Sequence, residues 1–319
     1  MNFKTIVTIG TGYSGSSAIY QFLRLSDSFY DPFPNIEFSL TYDPGGIMDI
    51  EQCIKNNFST NKTKVIYDQF KKNINFYTNK NFGLKPGKGM FIKDHNIANL
   101  LAEYIKSLVE LKHEGQSLYL KYNDTLLSNL FSKIYLKFDK KNTKEMLLFC
   151  NEDNFQNKTK KFFDNLFNIN NHQKKNILLD QGGSIWNPYS STKYYNEPRC
   201  ILIYRDPRDI FSEFKVKSAF SYPGNNVKIF CNWYKKILSN INSNELKKSN
   251  ILSINFEDFA YKDEKTLQLI SEHICTEINN KNINFDFSRP MRNIQRYKEN
   301  LSEKEINTIE KDLKEYLYH

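Results

Sequence analysis

The stretch from Lys4 to Leu23 reads KTIVTIGTGYSGSSAIYQFL, and it decides the fold of this chain. Thr5 to Ile9 is a run of β-branched residues, which is typical of a buried strand. Gly10, Gly12 and Gly15 follow, and the apolar residues after them recur at the spacing of one helical face. A strand, a glycine-rich turn and a helix direct backbone N–H groups and a helix N-terminus at an anion, usually a phosphate. The stretch therefore predicts a phosphate-binding loop.

Two well-known phosphate loops use similar glycines. Gly10, Gly12 and Gly15 have the G-x-G-x-x-G spacing of the dinucleotide fingerprint, which also needs a compact βαβ unit with an acidic residue ending its second strand. The next segment, YDPFPN at 30–35, holds two prolines that argue against a central strand there. A nicotinamide-dependent oxidoreductase therefore stays open as an alternative. Ser16 stands where a nucleoside-triphosphate loop needs its lysine, so an NTPase is not expected.

A third phosphate loop matches better. YSGSS at 13–17, followed by an apolar helix, resembles the 5′-phosphosulfate loop of sulfotransferases, which use 3′-phosphoadenosine 5′-phosphosulfate (PAPS). That loop typically reads Lys-Ser/Thr-Gly-Thr/Ser-Thr/Ser. The resemblance implies a set of residues that contact the nucleotide, namely Gly12, Tyr13, Ser14, Gly15, Ser16 and Ser17.

The loop departs from the family pattern at one position. Tyr13 stands where the family usually has a lysine that steadies the phosphate leaving group. Either another cation takes that role, or hydroxyl groups and the helix dipole suffice. The dipole alone contributes only about 0.3–1 kcal/mol at an exposed site.

A second block resembles the 3′-phosphate motif of the same family. CILIY at 200–204 predicts a buried strand, and Arg205 follows it at once. Pro207 suits the first position of the next helix because it lacks an N–H group. The resemblance implies that Arg205 forks its donors onto the 3′-phosphate. It also implies a serine contact, for which Ser212 lies one residue earlier than the family position, while Arg208 could instead pair with a neighbouring aspartate.

The tail of the chain adds a third block. Residues 288–306 resemble the closing segment of the family, which is a basic loop, an aromatic-lysine step and a helix start. The resemblance implies that the basic loop, with Arg289 and Arg292, wraps the 3′-phosphate end of PAPS. Ser302 and Glu305 have the spacing of a capping box, which predicts that a helix begins there.

Two carboxylates are candidates for the catalytic base. Glu37 follows the first loop at an interval similar to that of the catalytic glutamate in the heparan-type branch of the family. Asp180 ends an apolar strand, and ligands bind at the carboxyl ends of strands in open α/β sheets. Either group could take the proton of an acceptor hydroxyl, a step typically worth ~10²–10⁴ in rate.

Length and composition fit one large α/β domain. The chain has 319 residues, of which 39% are hydrophobic, so it can bury a sizeable core. We expect a single domain over residues 1–319, with residues 90–170 as a largely helical elaboration. The net charge of +9 permits nucleic acid, an acidic membrane surface or a polyanionic small ligand. A non-catalytic basic protein that binds nucleic acid or acidic glycan is therefore a further alternative.

Cysteine usage and hydropathy indicate a protein of the cytoplasm. The five cysteines are widely spaced without a Cys-x-x-Cys pair, so neither disulfides nor a zinc site are expected, and the reaction implies no metal. We expect no signal peptide, because residues 1–4 lead directly into the predicted strand, and no membrane span, because the sequence has no run of 18 apolar residues.

The order of these blocks along the chain predicts one enzyme. We expect a central parallel sheet flanked by helices, in the P-loop-like architecture that the sulfotransferase resemblance implies. The activity implied is transfer of a sulfuryl group from PAPS to a hydroxyl or amine by in-line displacement. A glycan is one candidate acceptor, and residues 30–175 would shape its pocket.

Overall fold

The computed structural model describes most of the chain, namely residues 3–34, 36–56, 58–78, 81–82, 85–86, 95–115, 144–149, 154–217, 222–241, 243–248, 250–276 and 283–319. Within them the strands are β1 (Thr5–Gly10), β2 (Phe29–Tyr30), β3 (Asn81–Phe82), β4 (Lys85–Pro86), β5 (Val109–Gly115), β6 (Lys144–Phe149), β7 (Asn176–Asp180), β8 (Pro198–Tyr204) and β9 (Ile251–Asn255).

The helices in the described ranges are α1 (Ser16–Arg24), α2 (Ile47–Asn56), α3 (Thr60–Thr78), α4 (His95–Leu108), α5 (Phe155–Phe167), α6 (Pro188–Thr192), α7 (Pro207–Lys217), α8 (Val227–Asn240), α9 (Ser243–Leu246), α10 (Phe256–Ala260), α11 (Glu264–Ile274), α12 (Ser288–Met291), α13 (Tyr297–Asn300) and α14 (Glu303–Asp312). The chain divides into two compact units, one made of residues 1–39 and 167–319 and the other of residues 40–166.

The first unit is built on a five-stranded sheet in the order β2-β7-β1-β8-β9. Every pairing in it is parallel, with Thr8 opposite Asp180 and Gly10 opposite Ile203. β1 lies in the middle, and Ile6, Val7 and Ile9 are fully buried, which explains its continuous β-branched run. The predicted central parallel sheet flanked by helices is therefore confirmed.

The helix after the first loop packs against the sheet through its apolar face. Ile19, Phe22 and Leu23 of α1 join Ile6 of β1 in one buried cluster. Phe22 also meets Phe259 edge to face, with ring centroids 5.5 Å apart. Each such side chain contributes about 1.5–3 kcal/mol when fully buried, so this packing fixes where α1 begins relative to the sheet.

A second cluster joins the helix of the Arg205 motif to the tail. Phe214 of α7 and Phe230 of α8 pack with Ile309 of α14 and with Leu313. The capping box predicted at the start of α14 is present, since Ser302 and Glu305 each bond the other's backbone. The tail thereby lies against the helix that follows Arg205.

The segment after α1 has little regular structure, as its prolines predicted. β2 is two residues long and lies at the edge of the sheet, where the loss of ladder hydrogen bonds is tolerated. Glu37 then forms an isolated parallel bridge with Asp180, and the Phe38 N–H group donates to the Asp180 carbonyl at 2.9 Å.

The second unit contains α2, α3 and α4, and it differs from the sequence prediction at one helix end. The periodicity predicts one helix from Ile97 to Leu111, with a C-cap at Gly115, but α4 ends at Leu108 and β5 follows it. β5 pairs with β6 in antiparallel register, so strand pairing overrides the helical pattern there. Residues 118–122, for which the sequence allows either a strand or the start of a helix, and the segments 90–94 and 126–138 lie outside the described residues.

In the described part of the chain, the helices are all too short or too polar to cross a lipid bilayer.

Candidate functional site

The loop between β1 and α1 exposes the start of a helix without a side-chain cap. Tyr13 and Gly15 both take left-handed backbone conformations, with φ of 61° and 88°. The Ser14 N–H group donates to the Thr11 carbonyl at 3.0 Å and closes a tight turn. Gly15 is the N-cap of α1 and has no side-chain oxygen, so the orphan N–H groups of the first turn remain available to a ligand.

Glycine is required at the N-cap for a second reason. A Cβ atom on Gly15 would lie 2.1 Å from Cδ2 of Phe256, well inside contact distance. The same Phe256 ring lies 5.1 Å from the centre of the Arg205 guanidinium. The loop can therefore approach the Arg205 region closely only because residue 15 carries no side chain.

A buried hydroxyl in the loop has no hydrogen-bond partner. Ser14 is only 1% exposed, and its Oγ atom is unsatisfied. An unpaired buried donor typically costs about 1–3 kcal/mol. An oxygen of a bound anion would satisfy Ser14 Oγ, so the loop fits a phosphate group.

The residue that follows β7 holds the loop at two points. Gln181 accepts a hydrogen bond from the Gly10 N–H group at 3.2 Å and donates one to Ser16 Oγ at 2.9 Å. One sheet edge therefore carries both the loop and the polar groups that orient it. This was expected of residues at the carboxyl ends of parallel strands.

The two candidate bases lie side by side at this edge. Asp180 is buried, and its two carboxylate oxygens accept from Ser17 Oγ at 3.0 Å and from Thr8 Oγ1 at 3.2 Å. Glu37, its bridge partner on the neighbouring segment, is exposed. The pKa of Asp180 is raised to about 6. Burial is the main cause, the Ser17 hydrogen bond acts against it, and the nearby Glu37 carboxylate adds to it.

Arg205 ties the first loop to the tail. Its Nη1 donates to the Tyr13 carbonyl at 2.7 Å and its Nη2 donates to the Asn293 carbonyl at 2.5 Å. The side chain is buried, and the Asp209 carboxylate lies 3.9 Å from Nη2. Burial lowers the pKa of Arg205, which Asp209 and Glu213 counteract. The two motifs that the sequence separates by almost two hundred residues thus meet at one guanidinium.

The contacts of Arg205 differ from the role that the resemblance implies. Both Nη groups donate to backbone carbonyls, and Nε is buried without a partner. A 3′-phosphate contact from this side chain therefore stays a prediction. What the structure does establish is its mechanical role, since the guanidinium fixes the position of Tyr13 against the tail.

The other predicted phosphate ligands are placed as follows. Ser212 is fully buried and accepts a hydrogen bond from Asn300 at 2.9 Å. Arg289 and Arg292 are exposed; the first pairs with Asp286 at 3.5 Å, and the second donates from Nε to a backbone carbonyl. Their contacts with a nucleotide also stay predictions.

Arg208 pairs with acidic side chains, which was the alternative left open for it. It lies 2.6 Å from a carboxylate oxygen of Asp206 and 2.7 Å from one of Glu310. It thereby joins the turn after β8 to α14. The buried Glu257 accepts from the Asp206 N–H group at 2.9 Å, so it is a structural partner of the same turn.

Two side chains near the loop belong to no recognised motif, and the sequence did not identify them as part of the site. The Tyr222 ring covers Gly12, where a Cβ would lie 2.5 Å from its Cζ atom, and it stacks on Phe214 at 4.5 Å. Burial and then the Glu37 carboxylate raise the pKa of Tyr222. Lys217, the last residue of α7, places its Nζ atom 4.6 Å from the centre of the Tyr13 ring.

The structure resembles several solved sulfotransferase domains at low sequence identity. For the sulfotransferase domain of the Synechococcus olefin synthase, the TM-score is 0.48 and the identity 10%, over 99% of this chain and 95% of that one. For the sulfotransferase domain of the curacin biosynthetic pathway, the TM-score is 0.40 and the identity 11%, over 88% and 77%. For a sulfotransferase of Mycobacterium tuberculosis, the values are 0.40 and 10%, over 98% and 77%.

The sequence itself matches neither a protein-family model nor a curated protein. At the TM-scores and identities above, the structural similarities carry no conclusion about activity. The chemistry of this site therefore has to be argued from its own residues.

Replacement of Arg205 by alanine should destabilise the protein by about 3–5 kcal/mol, because it leaves two carbonyls without their donors and removes the cation beside the buried Asp209 carboxylate. Arg205→Lys should recover only part of this loss, since one ammonium lacks the fork that reaches both carbonyls. Urea unfolding measures the difference. Arg289→Ala, at a side chain 81% exposed, is the control and should stay near wild type. Equal stability of Arg205→Ala and the control would contradict the assigned role.

Replacement of Asp180 by asparagine should remove one component of the pH dependence of stability. The pKa of Asp180 is about 6 in the folded protein against an ordinary 3.8, so the folded state binds the proton more tightly and its stability falls as pH rises from about 4 to 6. The free energy of unfolding of Asp180→Asn relative to wild type should therefore rise by about 3 kcal/mol over that window. Parallel profiles for the two proteins would contradict the assigned burial.

Proposed function

We propose that this protein is a sulfotransferase that takes its sulfuryl group from PAPS. The observation that carries the proposal is the loop at 12–17, which combines an uncapped helix start with a buried and unpartnered Ser14 hydroxyl, and which Arg205 holds in place. Such a loop suits the phosphate that leaves when sulfur is attacked, because fixed donors stabilise developing charge without reorganisation.

The loop residues would hold the 5′ end of the nucleotide. The N–H groups at the start of α1, including that of Ser17, and the hydroxyls of Ser14 and Ser16 would donate to the phosphate oxygens, because the hydroxyl proton of Ser17 is already donated to Asp180. Gln181 holds Ser16 and Asp180 holds Ser17, so these two hydroxyls are oriented before a ligand arrives. Arg205, Ser212, Arg289 and Arg292 remain the proposed surroundings of the 3′-phosphate.

Glu37 is the base that the geometry favours. Both oxygens of Asp180 already accept hydrogen bonds from Ser17 and Thr8, which makes Asp180 a positioning group for the loop. Glu37 lies beside it and is exposed, so an acceptor can reach its carboxylate. The Glu37 carboxylate contributes to the raised pKa of Tyr222, whose ring covers Gly12, and this supports a position for Glu37 near the loop.

The proposed reaction is one in-line displacement. The acceptor oxygen would attack sulfur and form a new S–O bond while its proton passes to Glu37. The S–O bond to the 5′-phosphate would break, and its electron pair would stay on the phosphate held by the loop. The products are a sulfated acceptor and adenosine 3′,5′-bisphosphate. The acceptor class is open, with a glycan hydroxyl as one candidate.

The sheet order weakens the oxidoreductase alternative. A dinucleotide fold places the second strand of its βαβ unit beside the first, with an acidic residue at its end. Here β7 lies between β1 and β2, and β2 is only two residues long. The ribose-binding part of that fingerprint therefore has no counterpart in the described sheet.

Adenosine 3′,5′-bisphosphate should stabilise the protein against heat, whereas NAD and ATP should not. A ligand that binds only the folded state adds about 2.7 kcal/mol at a hundred times its dissociation constant. Thermal melting with each nucleotide at equal concentration measures this. Stabilisation by NAD instead would support the oxidoreductase, and a salt-sensitive shift with an oligonucleotide alone would support nucleic-acid binding.

Replacement of Glu37 by glutamine should lower the turnover number by ~10²–10⁴ while leaving bisphosphate affinity near wild type, because only proton transfer is lost. Transfer of labelled sulfate from PAPS to a panel of glycans and simple alcohols measures turnover. Asp27→Asn, at another exposed carboxylate, is the control. Full turnover of Glu37→Gln would instead assign the base to Asp180.

A further inference from the structure

The phosphate loop has no cation of its own sequence, yet a leaving phosphate carries at least two negative charges. The loop runs from Gly10 to Ser17 without a lysine or arginine. Among the described residues, two cationic side chains contact residues of this loop, and both come from the segment that follows β8. They are Arg205, through the Tyr13 carbonyl, and Lys217, over the Tyr13 ring.

Arg205 is poorly suited to act on the leaving group. It is 5% exposed, and its two Nη groups are held by the carbonyls of Tyr13 and Asn293. To reach a phosphate in the loop it would have to break these hydrogen bonds and leave the carbonyls buried and unpaired. Such groups are costly, so this cation stays where it is.

Lys217 is less constrained than Arg205. Its side chain is 49% exposed, and it lies over the residue that replaces the lysine of the family loop. Its Nζ atom pairs with the Glu213 carboxylate at 2.6 Å. Arg296 pairs with the other oxygen of Glu213 at 3.2 Å, so the negative charge of Glu213 keeps one cationic partner when Lys217 turns toward a ligand.

The Tyr13 ring, which lies under the Lys217 ammonium, is itself held in position. The Tyr13 ring packs edge-on against Phe214 of the same helix, with centroids 5.7 Å apart, and the Tyr13 carbonyl is held by Arg205. The ring that supports the ammonium is therefore part of the loop itself. A cation over the face of an aromatic ring is stabilised electrostatically, which keeps Lys217 near the loop before a nucleotide binds.

We propose that Lys217 supplies the cation for the 5′-phosphate and stabilises the charge left on it as the S–O bond breaks. This inference rests on the proposed function. Lys217 transfers no proton in this step, so its contribution is charge alone. In this protein the ammonium would come from the end of α7 and not from the loop, and the Tyr13 ring would support it.

The test compares three variants by calorimetric titration with two nucleotides. Lys217→Met removes the charge and keeps an apolar stem, Lys217→Arg keeps the charge, and Lys215→Met is the matched control. Lys215 lies on the same helix and pairs with Glu305 at 2.8 Å, away from the loop. The nucleotides are adenosine 3′,5′-bisphosphate and adenosine 3′-monophosphate, which differ only in the 5′-phosphate.

Lys217→Met should weaken binding of the bisphosphate by about 10-fold or more, as expected for a lost charge-assisted hydrogen bond, and should leave the 3′-monophosphate unaffected. Lys217→Arg and Lys215→Met should bind both nucleotides like wild type. Unchanged bisphosphate affinity in Lys217→Met, or an equal loss for both nucleotides, would overturn the assignment. If wild type itself binds neither nucleotide, the proposed function fails before this inference is reached.

Discussion

The buried guanidinium of Arg205 is the interaction on which the site depends. It joins the carbonyl of Tyr13, in the loop after β1, to that of Asn293, in the tail. These carbonyls come from opposite ends of the chain, so the loop acquires its final position only when the tail is in place. A buried cation is expensive unless its donors are used, which is why the carbonyls and Asp209 surround it.

The residues at the end of β7 hold the loop on the side away from Arg205. Gln181 orients Ser16, and Asp180 orients Ser17 and Thr8, so the loop is held by strand ends on both of its flanks. Burial of the Asp180 carboxylate, which positions these hydroxyls, raises its pKa because it disfavours the charged form. The second carboxylate, Glu37, is exposed beside it, and in the proposed reaction Glu37 accepts the proton while Asp180 holds the loop.

The sequence predicted the elements of this arrangement better than their contacts. A β-branched run predicted β1 and an apolar run predicted β8, because strands covered on both faces need apolar residues throughout. The end of α4 was missed, since pairing of β5 with β6 depends on a distant segment. Arg205 was identified by its motif, but its carbonyl partners were not, and Lys217 was missed because nothing local relates the end of α7 to Tyr13.

The most direct test of the central claim is a crystal structure of the protein with adenosine 3′,5′-bisphosphate. We expect the 5′-phosphate to lie within hydrogen-bonding distance of Ser14 Oγ and of the N–H groups that begin α1, with Arg205 still bonded to the Tyr13 carbonyl. A nucleotide bound elsewhere, with Ser14 Oγ still unpartnered beside an unfilled loop, would contradict it.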